Sequence, residues 1–300
     1  VAEHHTARAG QGGQHVDGGA HRVGGGVVGV VDQGHGLAAT APADRTIGHA
    51  RKLSLAAAVL AAGHGGAVVP VGDPDAPPES ASAVRDALTK CRAALGTTPE
   101  YLCIVGMPDV VPMAVIASSE GIDKDPPSDL ALGNVDADPF VEVAYARFVA
   151  EDGPAGALLA ARCMVYADLV APAFAGRLAM AEWERLCAPL LPNVGFAAPV
   201  VHRGAPPIDA SSPLASVAAL VHGSHASWLQ LGDTCSHDSR VLLAPCLVES
   251  SGCSTASLDQ DPEHRSVALR LLRNGAIGFV GNVRRAVAQQ EMFRSEFWNA

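Results

Sequence analysis

Apolar positions along the chain predict alternating strands and helices from about residue 53 onward. The runs 67–72 (AVVPVG) and 101–106 (YLCIVG) indicate two short buried strands. Between them, apolar residues recur at i, i+3 and i+4 over 84–95, which is typical of a helix. Residues placed to cap this helix are Ser80 or Ser82 at its start and Gly96 at its end. A strand, a helix and a strand in this order predict a right-handed parallel crossover.

The middle of the chain carries an acidic loop and further predicted elements. Residues 121–138 are rich in Asp, Pro and Gly, which is typical of a loop. The run 141–148 that follows suits a buried strand. The remaining predicted elements of this part are helices over 154–168 and 173–187 and a short strand over 199–203.

The last hundred residues show the clearest alternation. The apolar run 214–221 leads directly into His222, and a second run, 241–250, ends shortly before Cys253. After them come a helix opening at Asp261 and ended by Gly275, and a strand over 276–280. Such alternation predicts an α/β fold with an open, mostly parallel sheet flanked by helices. Sheets of this kind bind ligands beyond the carboxyl ends of their strands, where His222 and Cys253 both lie.

The first part of the chain differs from everything after it. Residues 1–52 are rich in Gly and His and lack a sustained helix or strand period. We expect this segment to be disordered, and an upstream frame error is the alternative explanation of its composition. The expected division is therefore a disordered segment over 1–52, an N-terminal α/β subdomain over 53–120 and a second α/β subdomain over 121–300.

Composition and charge exclude two classes of partner. The formal net charge is −10 and the basic residues are scattered, so binding to a nucleic acid backbone is not expected. The apolar stretches near 53–62 and 155–175 are interrupted by His64, Arg162 and Asp168 before they reach the roughly 20 residues that a membrane span needs. No membrane span is therefore expected. No signal peptide is recognisable at the N-terminus, which leaves the localisation open.

The cysteines do not suggest a disulfide scaffold. There are seven, an odd number, and no two form a C-x-x-C pair. Four of them fall on predicted core faces and are expected to act as small apolar packing residues, namely Cys91, Cys103, Cys163 and Cys187. Cys235, Cys246 and Cys253 remain as candidates for chemistry.

Two dipeptides at predicted strand ends, His222-Gly223 and Gly252-Cys253, carry the parts of a thiol hydrolase. A thiol that attacks an acyl carbon needs an imidazole that favours the thiolate and protonates the leaving group. It also needs two donors for the developing oxyanion. The backbone N–H groups of Gly223 and Cys253 suit this role, because a glycine lets the substrate oxygen approach closely. The pattern predicts Cys253 as nucleophile and His222 as acid–base.

The same region resembles a known family. The runs VHGSHASW (221–228), SGCSTASLD (251–259) and LLRNGAIGFVG (271–281) resemble the gingipain-type cysteine peptidases of the caspase-like clan. In that family a histidine followed by Gly-Ser, and then by a tryptophan that Trp228 matches, precedes the nucleophile at a spacing like the 31 positions between His222 and Cys253. The resemblance implies a caspase-like fold and a cysteine-type endopeptidase that cleaves protein or peptide substrates through an acyl-enzyme, with Trp228 at the substrate.

The resemblance extends upstream to residues 99–112 and 128–148. Asp129 matches the aspartate that in gingipains receives the basic side chain before the cut, which implies cleavage after Arg or Lys. A carboxylate at the base of a pocket pairs well with a guanidinium or an ammonium group. The alternative is that Asp129 caps a turn or, with Asp136 and Asp138, binds calcium as a structural ion.

The match also has departures and limits. Met107 stands where the family usually has an acid, and Ala146 where it usually has a glycine. Members of the family are typically secreted or cell-surface enzymes, so the resemblance implies such a localisation. In the resembled family the catalytic domain continues past the position that matches Ala300. Truncation of the catalytic unit in this sequence is therefore an open alternative. No organic cofactor is expected.

Cys246 is the competing nucleophile, because it also ends an apolar run. It follows a proline, which disrupts a central strand, and it lies only 24 residues after His222. Cys253 is therefore favoured over Cys246. A serine hydrolase is not expected, since no G-x-S-x-G motif is present.

Two other classes of function stay open. Zinc binding is one, because four zinc-type ligands fall within sixteen positions, namely His222, His225, Cys235 and His237. The single-residue gap in the second pair is unlike the usual paired ligands, and we expect no zinc. The other is a noncatalytic caspase-like binding or assembly module, which a fold alone never excludes.

Overall fold

Two parallel β-sheets organise the chain. The computed structural model describes residues 57–63, 66–71, 80–96, 99–116, 125–134, 141–166, 208–209, 212, 215–261 and 265–285, and it describes the backbone of 27–31, 178–182 and 200–202. The strands are β1 (Val27–Val31), β2 (Ala67–Pro70), β3 (Tyr101–Val105), β4 (Ala114–Val115), β5 (Pro127–Ser128), β6 (Ala144–Phe148), β7 (Leu178–Glu182), β8 (Val200–His202), β9 (Ala219–Gly223), β10 (Ala226–Ser227), β11 (Gln230–Leu231), β12 (Cys235–Ser236), β13 (Leu247–Ser250) and β14 (Gly278–Gly281). The labelled helices are α1 (Ala81–Leu95), α2 (Leu130–Gly133), α3 (Gly153–Val165) and α4 (Val267–Asn274), and residues 57–63 are also helical.

The first sheet has four parallel strands in the order β2-β1-β3-β6. The predicted strands β2 and β3 are parallel members of it, separated by one strand rather than adjacent. That strand is β1, at residues 27–31 (VVGVV), inside the segment for which the sequence suggested disorder. The short valine-rich run is typical of a strand in a parallel sheet. The Gly and His residues on both sides of it led the sequence analysis to assign the whole segment as disordered. The disorder expected over 1–52 therefore does not describe β1, and the rest of that segment lies outside the described residues.

Helix α1 follows its sequence signals at both ends. The backbone N–H of Ala83 donates to the hydroxyl of Ser80 (3.3 Å), so Ser80 is the N-cap. Gly96 ends the helix in the left-handed region at φ 68°, which a glycine adopts without strain. Val84 and Leu88 turn inward and share a core with strand β3. The amphipathic pattern thus places α1 against the first sheet.

The second sheet has five parallel strands in the order β14-β13-β9-β7-β8. Its inner strand β7 corrects the sequence analysis, which expected a helix over 173–187. Leu, Ala, Met and Glu favour helices, yet residues 178–182 pair in parallel with β9 on one side and β8 on the other. Pairing within a sheet overrides such intrinsic preferences. The other residues of the expected helix lie outside the described part of the chain.

Most other predicted elements occur with shifted ends. Strands β6, β8, β9, β13 and β14 lie within or next to their predicted runs, and α3 begins at Gly153. Helix α4 begins at Val267, with Ser266 as its N-cap, rather than at Asp261. The acidic stretch 121–138 contains the short elements β5 and α2 in addition to loop. Because β6 belongs to the first sheet, that sheet continues beyond the expected subdomain division at residue 120.

A shared core joins the two sheets. Val105 and Phe148 from the first sheet belong to the same buried cluster as Leu220 and Val248 from the second. Arg162 of α3 strengthens the junction, since its guanidinium donates to three carbonyl groups at the end of α4, those of Leu272 (2.7 Å), Ala276 (3.0 Å) and Arg273 (3.1 Å). Among the described residues, no helix is long and apolar enough to cross a bilayer.

Candidate active site

His222 lies at the carboxyl edge of the second sheet. It is near the end of β9, level with Ser250 of β13 on one side and with Ala181 of β7 on the other. Its side chain is 0% exposed. Nδ1 of the imidazole lies 3.0 Å from the hydroxyl oxygen of Ser250. The parallel register therefore holds one nitrogen of the ring against a neighbouring strand.

Ser250 was not among the residues expected at the site. Its hydroxyl oxygen contacts the histidine ring and also accepts a hydrogen bond from the backbone N–H of Gly252 (3.2 Å). The side chain is buried, with 2% of its surface exposed. The sequence held one signal for it: Ser250 ends a predicted parallel strand, as His222 does, and such ends meet at one edge.

Cys253 follows β13 on a loop whose beginning is tied to β9. Ser251 donates both its backbone N–H (3.0 Å) and its hydroxyl (3.4 Å) to the carbonyl oxygen of His222. Cys253 comes two residues later and is half-buried. The structure thus brings the two expected catalytic residues to the same edge of the same sheet.

Close packing explains the glycine before the cysteine. A Cβ atom on Gly252 would lie 2.3 Å from Cβ of Ala226 and 3.0 Å from the carbonyl oxygen of Ser224. No other residue fits there without a shift of the backbone. Just past Cys253 the loop turns at Ser254, which has a φ of 57°. The cysteine therefore lies on a sharply defined turn.

Residues after β14 hold the other side of this loop. The amide nitrogen of Asn282 donates to the carbonyl oxygen of Gly252 (3.0 Å), and the backbone N–H of Ser254 donates to the carbonyl oxygen of Arg284 (2.8 Å). The guanidinium of Arg284 donates twice to the carboxylate of Asp259, at 2.9 and 2.5 Å. These hydrogen bonds lower the pKa of Asp259 below its ordinary value.

Four other cysteines are poorly suited to act as nucleophiles, namely Cys103, Cys163, Cys235 and Cys246. Burial raises the pKa of the Cys246 thiol to about 12 and that of Cys103 to about 11. Burial also raises the pKa of Cys163 and Cys235. Only the thiolate attacks a carbonyl carbon, so burial makes each of these thiols less reactive near neutral pH. Cys246, the competing candidate, is also only 1% exposed.

A small antiparallel sheet, β10-β11-β12, comes near the histidine at one glycine. Gly232, between β11 and β12, has a φ of 49°, and a Cβ atom on it would lie 3.7 Å from Nε2 of His222. Trp228 lies in the turn between β10 and β11, and its carbonyl oxygen accepts from the backbone N–H of Val267 at the start of α4 (2.7 Å). Its indole N–H is buried and has no hydrogen-bond partner among the described residues. Gly223 ends β9 in a buried position.

Asp129 forms an ion pair with Arg147 within the protein. Its two carboxylate oxygens accept from Nε (2.8 Å) and Nη2 (2.6 Å) of Arg147. The same guanidinium donates to the carbonyl oxygens of Gly106 (2.8 Å) and Val111 (2.9 Å). Asp129 is therefore bound to β6 of the first sheet, whereas His222 and Cys253 belong to the second. A basic substrate side chain would have to share this carboxylate with a buried guanidinium.

All four residues of the possible zinc site are described, whereas two residues of the possible calcium site are not. Nδ1 of His222 contacts Ser250, His237 lies 3.3 Å from Asp238, and Cys235 donates to the next residue's carbonyl (3.5 Å). Among the described residues, which include all four proposed zinc ligands, no three His, Cys, Asp or Glu side chains are placed to hold one ion. The acidic residues expected to bind calcium with Asp129, namely Asp136 and Asp138, lie outside the described residues.

Solved protease structures have the same fold. The Arg-specific cysteine proteinase gingipain R superposes with a TM-score of 0.66 and 15% identity over 89% of this chain and 65% of that chain. The complex of Porphyromonas gingivalis RgpB pro- and mature domains gives 0.64 and 15% over 89% and 66%. A structure described as that of a protease gives 0.64 and 15% over 90% and 62%. The chain spans less than two thirds of the length of each.

At this identity the likeness shows the fold alone. No protein-family model and no curated protein sequence matches the chain. The expected α/β class, with parallel sheets flanked by helices as in the gingipains, is confirmed. The chain therefore has a peptidase-like fold with a histidine and a cysteine at one edge of its second sheet.

Proposed function

We propose that this chain is a cysteine-type peptidase in which Cys253 is the nucleophile and His222 the acid–base. One observation carries the proposal. In a gingipain-like fold, the carbonyl oxygen of His222 holds the start of the loop on which Cys253 lies. Parallel α/β sheets bind their ligands at this edge.

The reaction follows from these groups. The thiolate of Cys253 attacks the carbonyl carbon of the scissile peptide bond, and the backbone N–H groups of Gly223 and Cys253 stabilise the negative charge on the oxygen. The imidazolium of His222 then gives its proton to the departing amine, which leaves a thioester on Cys253. Neutral His222 next takes a proton from water as the water oxygen attacks the thioester carbon, and cleavage of the C–S bond releases the acid and restores the thiolate and the imidazolium. Trp228 is assigned to the substrate by its match to the tryptophan of the gingipain-type pattern.

One observation favours a second candidate, a noncatalytic binding module of the same fold. The ring of His222 is 0% exposed. Catalysis therefore requires the ring to become accessible when a substrate binds. A binding module has no such requirement.

A first prediction separates the two candidates. Cys253→Ala should abolish labelling by an acyloxymethyl ketone probe and lower kcat/KM on a fluorogenic peptide library by on the order of 10⁴-fold or more, because the nucleophile is lost. Cys91→Ala, a matched change of a half-buried cysteine on α1, should leave both unchanged. Peptide mapping identifies the labelled residue. Labelling of another cysteine, or a folded protein that neither reacts nor cleaves, would refute the peptidase.

A further inference from the structure

The hydroxyl of Ser250 joins the two halves of the candidate site. It contacts Nδ1 of His222 at 3.0 Å and accepts the backbone N–H of Gly252 at 3.2 Å, the residue directly before Cys253. Ser250 is 2% exposed and His222 is 0% exposed, so water does not compete for these bonds. A change in the protonation or orientation of the His222 ring therefore reaches the cysteine loop through the hydroxyl oxygen of Ser250.

A hydroxyl suits both charge states of the ring. It has one O–H donor and two acceptor lone pairs, and the N–H of Gly252 occupies one lone pair. When the ring is neutral at Nδ1, the O–H can donate to it. When the ring is an imidazolium, the remaining lone pair accepts the proton on Nδ1. Hydrogen bonds to the charged form are the stronger ones, so Ser250 should favour the imidazolium.

We propose that Ser250 is a positioning residue that orients His222, stabilises its protonated form and fixes the loop of Cys253 in the same contact. This inference rests on the proposed function. It assigns Ser250 no bond to the substrate: the side chain is buried beneath the edge, and its oxygen already faces the ring and the loop. Ser250 thereby widens the pH range over which an imidazolium faces a thiolate.

The test uses the full chain and two readouts that need no substrate. The first is the ¹⁵N chemical shifts of His222 across pH, assigned by the signal that His222→Ala removes. The second is the rate of Cys253 alkylation by iodoacetamide across pH, followed by peptide mass mapping. The variants are Ser250→Ala, Ser250→Thr and the matched control Ser251→Ala, whose hydroxyl meets only the carbonyl oxygen of His222.

Ser250→Ala should move the ¹⁵N transition of the His222 ring to lower pH. Less imidazolium is then available to favour the thiolate, so Cys253 alkylation slows on the acidic side of its pH profile. A shift of about one pH unit corresponds to an approximately tenfold slower reaction there. Ser250→Thr should restore the ring signals and the alkylation profile, and Ser251→Ala should leave both unchanged. These readouts report protonation, which a merely structural serine would not change.

An unchanged ¹⁵N transition of His222 and an unchanged pH profile of Cys253 alkylation in Ser250→Ala would overturn the inference, and so would labelling of Ser250 itself by a fluorophosphonate. Failure of the proposed function has a different signature. In that case His222→Ala would leave the pH dependence of Cys253 alkylation unchanged. The inference would then fall together with the dyad.

Discussion

A buried carboxylate–guanidinium pair fixes one corner of the first sheet. Arg147 and Asp129 expose only 7% and 8% of their side chains, and each carboxylate oxygen accepts one N–H of the guanidinium. Two further N–H bonds of Arg147 reach the carbonyl oxygens of Gly106 and Val111. Such a pair stabilises a fold only while both partners are present, because either charge alone would be buried without compensation. Asp129 thus has a structural role that its match to a specificity residue did not indicate.

Asp129→Asn should lower the free energy of unfolding by roughly 3–5 kcal/mol, because it leaves a buried guanidinium without its counter-charge. The measurement is urea unfolding. Asp238→Asn, at a side chain that is 82% exposed, should change the stability by less than about 0.5 kcal/mol. If Asp129 instead recognises a basic substrate residue, Asp129→Asn will keep its stability and lose cleavage after Arg or Lys.

The loop that bears the cysteine depends on an element far along the chain. Arg284, just past β14, holds Asp259 with two hydrogen bonds, and its own carbonyl oxygen holds Ser254. The pKa of Asp259 is lowered mainly by these bonds. A carboxylate with a lowered pKa stabilises the fold above its unfolded pKa of 3.8, and that contribution is lost as the pH falls through the lower folded value.

Wild type should therefore be more stable than Asp259→Asn at pH 5, and the difference should close as the pH falls below about 4, where the carboxyl group takes up its proton. Urea unfolding at a series of pH values measures it. Arg284→Gln should give the same flattened profile as Asp259→Asn, because the lowered pKa depends on the guanidinium. A difference that stays constant down to the lowest pH would contradict this account.

Elements with local signals could be predicted, whereas those defined by distant partners could not. Helix α1 carries its own caps, Ser80 and Gly96, and its position follows from the sequence. Strand β7 is made of helix-favouring residues and becomes a strand only by pairing with β9 and β8. Strand β1 is five residues long within a Gly-rich segment. Spacing indicated His222 and Cys253, but the contact of Ser250 with the ring depends on the register of two strands.

The two sheets share one core, so we expect them to unfold as one cooperative unit. Leu159 of α3 is 4% exposed and belongs to the cluster that contains Val105 of the first sheet and Leu220 of the second. Truncation of a residue in such a cluster removes packing from both sheets at once. The molecule should therefore unfold in a single step.

Leu159→Ala should lower the free energy of unfolding by roughly 2–5 kcal/mol and reduce hydrogen-exchange protection in β3 and β9 by equal amounts. Leu158→Ala is the matched control, since Leu158 is the preceding residue of the same helix and is 53% exposed. It should have little effect on either sheet. Loss of protection in one sheet with full protection in the other would show that the sheets unfold independently.

The position of β14 in the chain has a consequence for biosynthesis. A ribosome adds the segment 247–254 before it adds 278–285, although Asn282 and Arg284 hold one side of the cysteine loop. A nascent polypeptide that has reached Cys253 therefore carries the thiol before these two supports exist. The full set of contacts around the loop can form only after translation has passed Arg284. The order of synthesis thus delays completion of the loop until most of the second sheet is available.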